Sequence, residues 1–216
     1  MIIFEGHLYE ESFRYEDKIA LYSDVIRKII YKATADKILR HNKTYLITDL
    51  AKRYSDQVPE DLFGLGVKFA NTDSYFYSDN TKSIILPDRI LTSELTKKDS
   101  IGISHELEHY FQFKNGKFKD EGTYTNMKNK DSDISYNNDS NEINARLSQI
   151  STYLKNANRF REEVSGYDFG PFVEEVLTKI LYLDNPDSYL DDVLSEDNRN
   201  KVLEYLYLMW KKLKTN

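Results

Sequence analysis

Five consecutive residues, His105-Glu106-Leu107-Glu108-His109, carry the chemistry this chain can be read for. Residues four apart on a helix share a face, so the two imidazoles project together with a carboxylate beside them. That is the donor and base arrangement of a zinc-dependent hydrolase. Two of the four histidines in the chain sit in this pentad. With His105 at zero on a helical wheel, His109 falls at about 40 degrees and Gly102 at about 60, which predicts a polar or open front. Ile103, Leu107, Tyr110 and Phe111 fall between about 140 and 240 degrees, an apolar back for packing. Glu106 at about 100 degrees and Glu108 at about 300 flank the pair almost symmetrically, so angle alone does not choose the base.

Two imidazoles supply about half of a tetrahedral shell, and a hydrolytic zinc site needs a third protein ligand and one position for water. The candidate is Glu142, in Asp139-Ser140-Asn141-Glu142-Ile143-Asn144-Ala145-Arg146. With Ile143 and Leu147 packed inward, the small Ala145 would let two helices approach closely enough to bring Glu142 to the metal. A second reading stands beside it: Asp139 and Glu142 have the spacing of a capping box, in which the glutamate only bonds the helix start. Asp120, Glu121, Asp131 and Asp133 are rival ligands in the polar stretch between the two helices, and His7 and His41 read as surface or local packing histidines.

The known chemistry of the motif puts the base directly after the first histidine, which assigns Glu106 and leaves Glu108 as a surface residue or a support to the ligands. Zinc lowers the pKa of its bound water to about 7, Glu106 takes the proton, and attack falls on a carbonyl polarised by the same ion. The oxyanion then needs a further donor. Tyr136, six residues before Glu142, is the candidate for that role, with Tyr124 and Arg146 as others.

Several elements must hold these groups. Ile19, Tyr22, Ile26, Ile29 and Ile30 have helical spacing within a predicted helix from about Tyr15 to Leu39, a segment of 15–40. Tyr45-Leu46-Ile47 reads as a short strand or as the approach to a helix starting near Thr48-Asp49. Val67 and Phe69 alternate with polar neighbours, and Tyr75-Phe76-Tyr77 and Ile84-Ile85-Leu86 flank the turn-prone Ser78-Asp79-Asn80-Thr81, predicting a hairpin. Asp99 or Ser100 is expected to cap the motif helix. Lys114 to Asn138 lacks any hydrophobic period and reads as a long loop of the functional kind. Helical spacing resumes at Ile143, Leu147, Ile150 and Leu154, then at Phe172, Val176 and Ile180, and at Val202, Tyr205, Leu206 and Met209, with breaks near Gly166 to Pro171 and at Asn185-Pro186.

The 216 residues fit a single domain, with a core at about 64–157, the helical 15–40 segment before it and a helical extension over 158–216. Absence of cysteine removes thiol nucleophiles, thiolate metal sites and disulfides, leaving His, Asp and Glu as strong ligands. A net charge of -6 argues against nucleic acid as a partner, since phosphate attraction needs a basic face. No stretch has the apolar length of a membrane span, and Met1-Ile2-Ile3-Phe4-Glu5 lacks the basic start of a secretory signal, so the expected location is the cytoplasm, that of a host if a virus encodes the chain. The sequence leaves oligomeric state open.

The hairpin, the run Ile101-Gly102-Ile103-Ser104-His105-Glu106-Leu107-Glu108-His109-Tyr110-Phe111-Gln112 and the later Asn141-Glu142-Ile143-Asn144-Ala145-Arg146 together resemble the zincin metallopeptidases, within them the glutamate-liganded branch. The order is most similar to that of small peptidases encoded in phage and bacterial genomes, and the ImmA/IrrE-type peptidases share it more distantly. The resemblance covers about Gly66 to Leu154. It implies zinc on His105, His109 and Glu142, Glu106 as general base, and a peptide or protein substrate. Arg146 stands four after Glu142 where thermolysin-like enzymes have Asp, and the third histidine of metzincins is missing. The expected fold is α+β and zincin-like, a small, mainly antiparallel sheet against the active-site helix with a helical C-terminal part. The rival functions are a zincin-fold binding or structural module without turnover, and a helical interaction protein whose histidines bind nothing.

Overall fold

The structure, a computed structural model, describes residues 7–93, 95–116 and 136–215, without the side chains of 7–17, 97 and 98. The chain is α+β. Helix α1 (His7–Ala35) leads to strand β1 (Thr44–Leu46) and helix α2 (Ile47–Arg53), then to β2 (Gly66–Ala70), β3 (Phe76–Ser78) and β4 (Ser83–Pro87). The motif helix α3 is Lys97–Lys114, and α4 (Ser140–Asn156), α5 (Asn158–Ser165), α6 (Phe169–Leu181) and α7 (Glu196–Thr215) follow, with a short helical turn over 186–193 before α7. No helix among the described residues is long and apolar enough to cross a membrane.

The four strands form one sheet in the order β1-β2-β4-β3. The expected hairpin is present, with Tyr77 opposite Ile84 across antiparallel β3 and β4. Strand β1 also runs antiparallel to β2, but β2 and β4 pair in parallel, Val67 against Ile84 and Phe69 against Leu86. The sheet is therefore mixed, mainly antiparallel as expected, with one parallel pairing at its centre. The excursion through β3 carries the chain back to start β4 beside the start of β2, and β4 becomes a central strand buried at all five positions. A strand covered on both faces reads as a continuous apolar run, and that is what Ile84-Ile85-Leu86 is.

Helix α1 starts and ends earlier than the expected 15–40 segment, because Lys37 takes a left-handed φ of 55° and stops it. Its Ile19, Ile26, Ile29 and Ile30 are fully buried in the same core as β2, β4 and the back of α3, so it is a wall of that core and not an appendage. Both readings of 45–51 hold in sequence: Leu46 ends β1 and Ile47 begins α2. The expected cap of α3 is corrected. Thr96 is the N-cap and Asp99 sits three residues on, closing a capping box in which each side chain bonds the other's backbone N–H.

A second apolar cluster gathers Ile143, Leu147, Ile150 and Leu154 of α4 with Phe172, Val176 and Ile180 of α6 and Val202, Tyr205 and Leu206 of α7. Pro171 lies inside the first turn of α6, where a missing N–H costs no intrahelical bond, so that helix starts before the expected break has ended. At the second break Pro186 opens the short turn and Asn185 Oδ1 accepts from Ser188 N at 3.0 Å. Two cores thus meet where α4 packs against α3 and α1. His105, His109 and Glu142 lie where α4 faces α3.

Candidate metal centre

Helix α3 is buried almost all round. Ile103, Leu107, Tyr110 and Phe111 fill the first core as the wheel predicts. The front is not open. Among residues 101–112 only His105 and His109 keep partial exposure, because α4 covers one flank and the ring of Tyr75 covers Gly102. A Cβ added at Gly102 would lie 2.6 Å from that ring, so the absence of a side chain there admits an aromatic wall and does not leave a gap. Tyr75 is held in turn at the start of α3, where its hydroxyl donates to Asp99 Oδ1 and Arg89 Nη2 donates to both at 2.6 Å.

His105 Nε2 and His109 Nε2 are 3.1 Å apart, and Glu142 Oε2 lies 3.5 Å from the first and 3.7 Å from the second. Fully buried Ala145 sits on the contact between α3 and α4, as the close approach requires. Asp139 does cap α4, accepting from the backbone N–H of Asn141 at 2.7 Å and Glu142 at 3.4 Å. The Glu142 side chain makes no return bond to the helix start and turns to the imidazoles instead, so the cap and the ligand position belong to different residues.

These three residues form a group able to hold a metal ion. Tetrahedral zinc with bonds of about 2.0–2.2 Å sets its donor atoms about 3.3–3.6 Å apart, and the three observed separations straddle that span. The donor set fits in a second respect. Glu142 Oε2 is fully buried and accepts no hydrogen bond within the described residues, a costly state for a carboxylate oxygen unless a cation satisfies it. Its other oxygen accepts from Arg146 Nε at 3.2 Å, and Arg146 is itself fixed by Asn137 Oδ1 at 2.6 Å and by stacking on Tyr189. Arg146 therefore aims the carboxylate of Glu142.

Charge follows this geometry. Burial opposes ionisation of Glu142, yet the imidazoles and Arg146 hold its carboxyl well below the usual range. Burial likewise opposes protonation of His109, and the Glu142 and Glu106 carboxylates outweigh it, pushing the imidazole up to about 9. Burial raises Glu106, with the Glu142 charge adding to it against the pull of the histidines. A carboxyl biased toward holding a proton, beside a metal position, has the character of a general base that must accept one.

A cleft of about 350 Å³ opens on the centre, and His105, Glu106, Tyr136, Glu142 and Arg146 all face it, with Tyr75 as one wall. Tyr136 is thus brought to the site as expected. Burial and the Glu142 charge both raise its phenol, which keeps the hydroxyl a donor at neutral pH. Tyr124 and the rival ligands Asp120, Glu121, Asp131 and Asp133 lie outside the described residues, as do most of the expected long loop and the His7 side chain. His41 is exposed and paired with Asp88 at 2.5 Å, in keeping with a surface histidine.

Glu108 is not a surface residue. It is 4% exposed, its Oε1 accepts from Gln112 Nε2 at 3.1 Å and its Oε2 accepts from Ser148 Oγ at 3.2 Å. Gln112 reaches the site as well, its Oε1 lying 3.1 Å from His109 Nδ1. The sequence held a signal for this residue, since Gln112 is three after His109 and shares its face of the helix. Nothing in the sequence pointed to Tyr75 or Asn137, which arrive from the residue before β3 and from a helical stretch just ahead of α4. No family model, curated protein or solved structure matches the chain.

Proposed function

We propose that this protein is a zinc-dependent peptidase whose metal is held by His105, His109 and Glu142 and whose general base is Glu106. The observation that carries the reading is the convergence of three donor atoms from two helices, one of them a buried carboxylate oxygen with no hydrogen bond among the described residues, at tetrahedral spacing. A bound zinc would supply the Lewis acidity that makes water a nucleophile at neutral pH and polarises the scissile carbonyl. Glu106, raised by burial and facing the cleft, accepts the proton that water must lose and hands it to the leaving amine. Tyr136 donates its hydroxyl proton toward the developing oxyanion. Arg146 and Tyr75 shape the cleft around the substrate backbone. A purely structural metal site has no use for a carboxylate facing a solvent-filled cleft beside the ligands, which disfavours the binding-module alternative.

Purified protein is expected to contain one zinc per chain, lost in His105→Ala, and to cleave members of a peptide library that Glu106→Gln leaves intact while keeping its zinc. Absence of zinc after zinc-replete purification would remove the metal site. Equal cleavage by wild type and Glu106→Gln would remove the peptidase.

A further inference from the structure

We propose that Gln112 is a positioning residue that fixes which nitrogen of His109 is offered to the metal, as the middle member of a relay that begins at the buried carboxylate of Glu108. The inference rests on the metal-site reading above and is independent of turnover. An amide can be turned end for end, so the atom facing His109 has to be decided by its other partners. Gln112 Nε2 lies 3.1 Å from Glu108 Oε1 and 3.0 Å from the backbone carbonyl of Asn141. A backbone carbonyl only accepts, so the NH2 end of Gln112 must point there.

The other end, Oε1, can only accept as well, and it faces His109 Nδ1. Nδ1 therefore carries a proton, which leaves Nε2 as the nitrogen that a metal shared with His105 Nε2 and Glu142 Oε2 would take. Ser148 occupies the second oxygen of Glu108, so the carboxylate that starts the relay is fixed at both ends. Glu108, Gln112 and Ser148 are all at least 96% buried, which shields these bonds from competition by water. Asn141 directly precedes Glu142, so the amide that orients one ligand also pins the start of the helix that carries another. His105 is held differently: its buried Nδ1 has no hydrogen-bond partner among the described residues.

The test compares wild type with Gln112→Met, which keeps length without hydrogen bonds, and with Ser148→Ala, which loosens the same interface but spares the amide. Zinc affinity is measured by competition with a chromophoric chelator, and the imidazole N–H signals of the zinc-loaded proteins by nitrogen-15 NMR. Gln112→Met is expected to bind zinc about 10–100-fold more weakly, the usual effect of losing a partner behind a ligating histidine. Ser148→Ala, which leaves the Gln112 bonds to Glu108 Oε1 and the Asn141 carbonyl in place, should weaken zinc binding by clearly less than Gln112→Met does. Zinc-loaded wild type should show a slowly exchanging Nδ1–H of His109 that is lost in Gln112→Met. The inference is overturned if Gln112→Met keeps full affinity, if Ser148→Ala loses as much, or if wild type lacks that protected signal. Failure of wild type to take up zinc would overturn the metal reading and this inference together, whereas the other failures leave the metal reading standing.

Discussion

The two flanks of α3 begin with the same residue type and end in opposite conditions. Glu106 and Glu108 are both nearly inaccessible and both raised by burial. On the Glu108 flank, α4 closes over the carboxylate and supplies Ser148, while Gln112 satisfies the remaining oxygen. On the Glu106 flank a cleft replaces the partner helix, and the neighbours that act on the carboxylate are mainly charges. A carboxylate with both oxygens engaged is a strut. One left to face a cleft beside two imidazoles can exchange a proton. The surroundings, not the side chain, divide the roles.

The sharpest way to break this contrast is to neutralise each acid in turn. Glu106→Gln should lower peptide turnover about 10²–10⁴-fold with the melting temperature little changed, the usual scale for loss of a general base. Glu108→Gln should lose stability and, through Gln112 and His109, zinc affinity, while turnover of the zinc-saturated protein falls far less than in Glu106→Gln. Equal effects on turnover would make the two flanks equivalent.

The next largest effect concerns the ligand between the flanks. Glu142→Ala leaves the Arg146 guanidinium, itself mostly buried, without its carboxylate, and denaturant unfolding should show a loss of about 3–5 kcal/mol. Glu108→Gln sets an amide donor against the hydrogens of Gln112 or Ser148, and the same measurement should show about 1–3 kcal/mol. Gly102→Ala drives a methyl into the Tyr75 ring and should cost about 1–3 kcal/mol while narrowing the cleft wall on the Glu106 side alone.

The smallest effect is a pH dependence at the head of α3, ahead of both flanks. Burial opposes the charge on Asp99, but hydrogen bonds from Thr96, Tyr75 and Arg89 prevail and hold its carboxyl below the ordinary value. The unfolded chain therefore takes up that proton more readily than the folded one. The stabilisation is complete above about pH 4 and drains as pH falls through the lower folded value. Asp99→Asn should flatten the acid limb of a stability profile measured between pH 2 and 6 by urea unfolding, by up to about 1.4 kcal/mol per pH unit for the one proton removed.

Much of this arrangement was legible before any coordinates. Local spacing placed His105 and His109 together, and the small Ala145 correctly implied that α4 comes close enough to deliver Glu142. The hairpin between β3 and β4 was legible because its pairing is also local. The parallel pairing of β2 with β4 was not, since alternation along a strand marks its faces but not the direction of its neighbour. The cap was missed because Asp99 has the chemistry of a cap yet stands three residues inside the helix. The two flanking glutamates were indistinguishable because a helical wheel knows angles and nothing of what lies beyond them. Gln112 had the right spacing, but only the carbonyl of Asn141, supplied by another helix, tells which way its amide points.

The two apolar cores meet where α4 packs against α3 and α1, and each would contribute to the proposed ligand set, the imidazoles from the sheet side and the carboxylate from the helical side. An occupied centre is then a rivet between halves. Substitutions that let the halves drift should weaken the grip on the ion, and chelators should in return make the seam between the halves the first place where backbone amides exchange with heavy water.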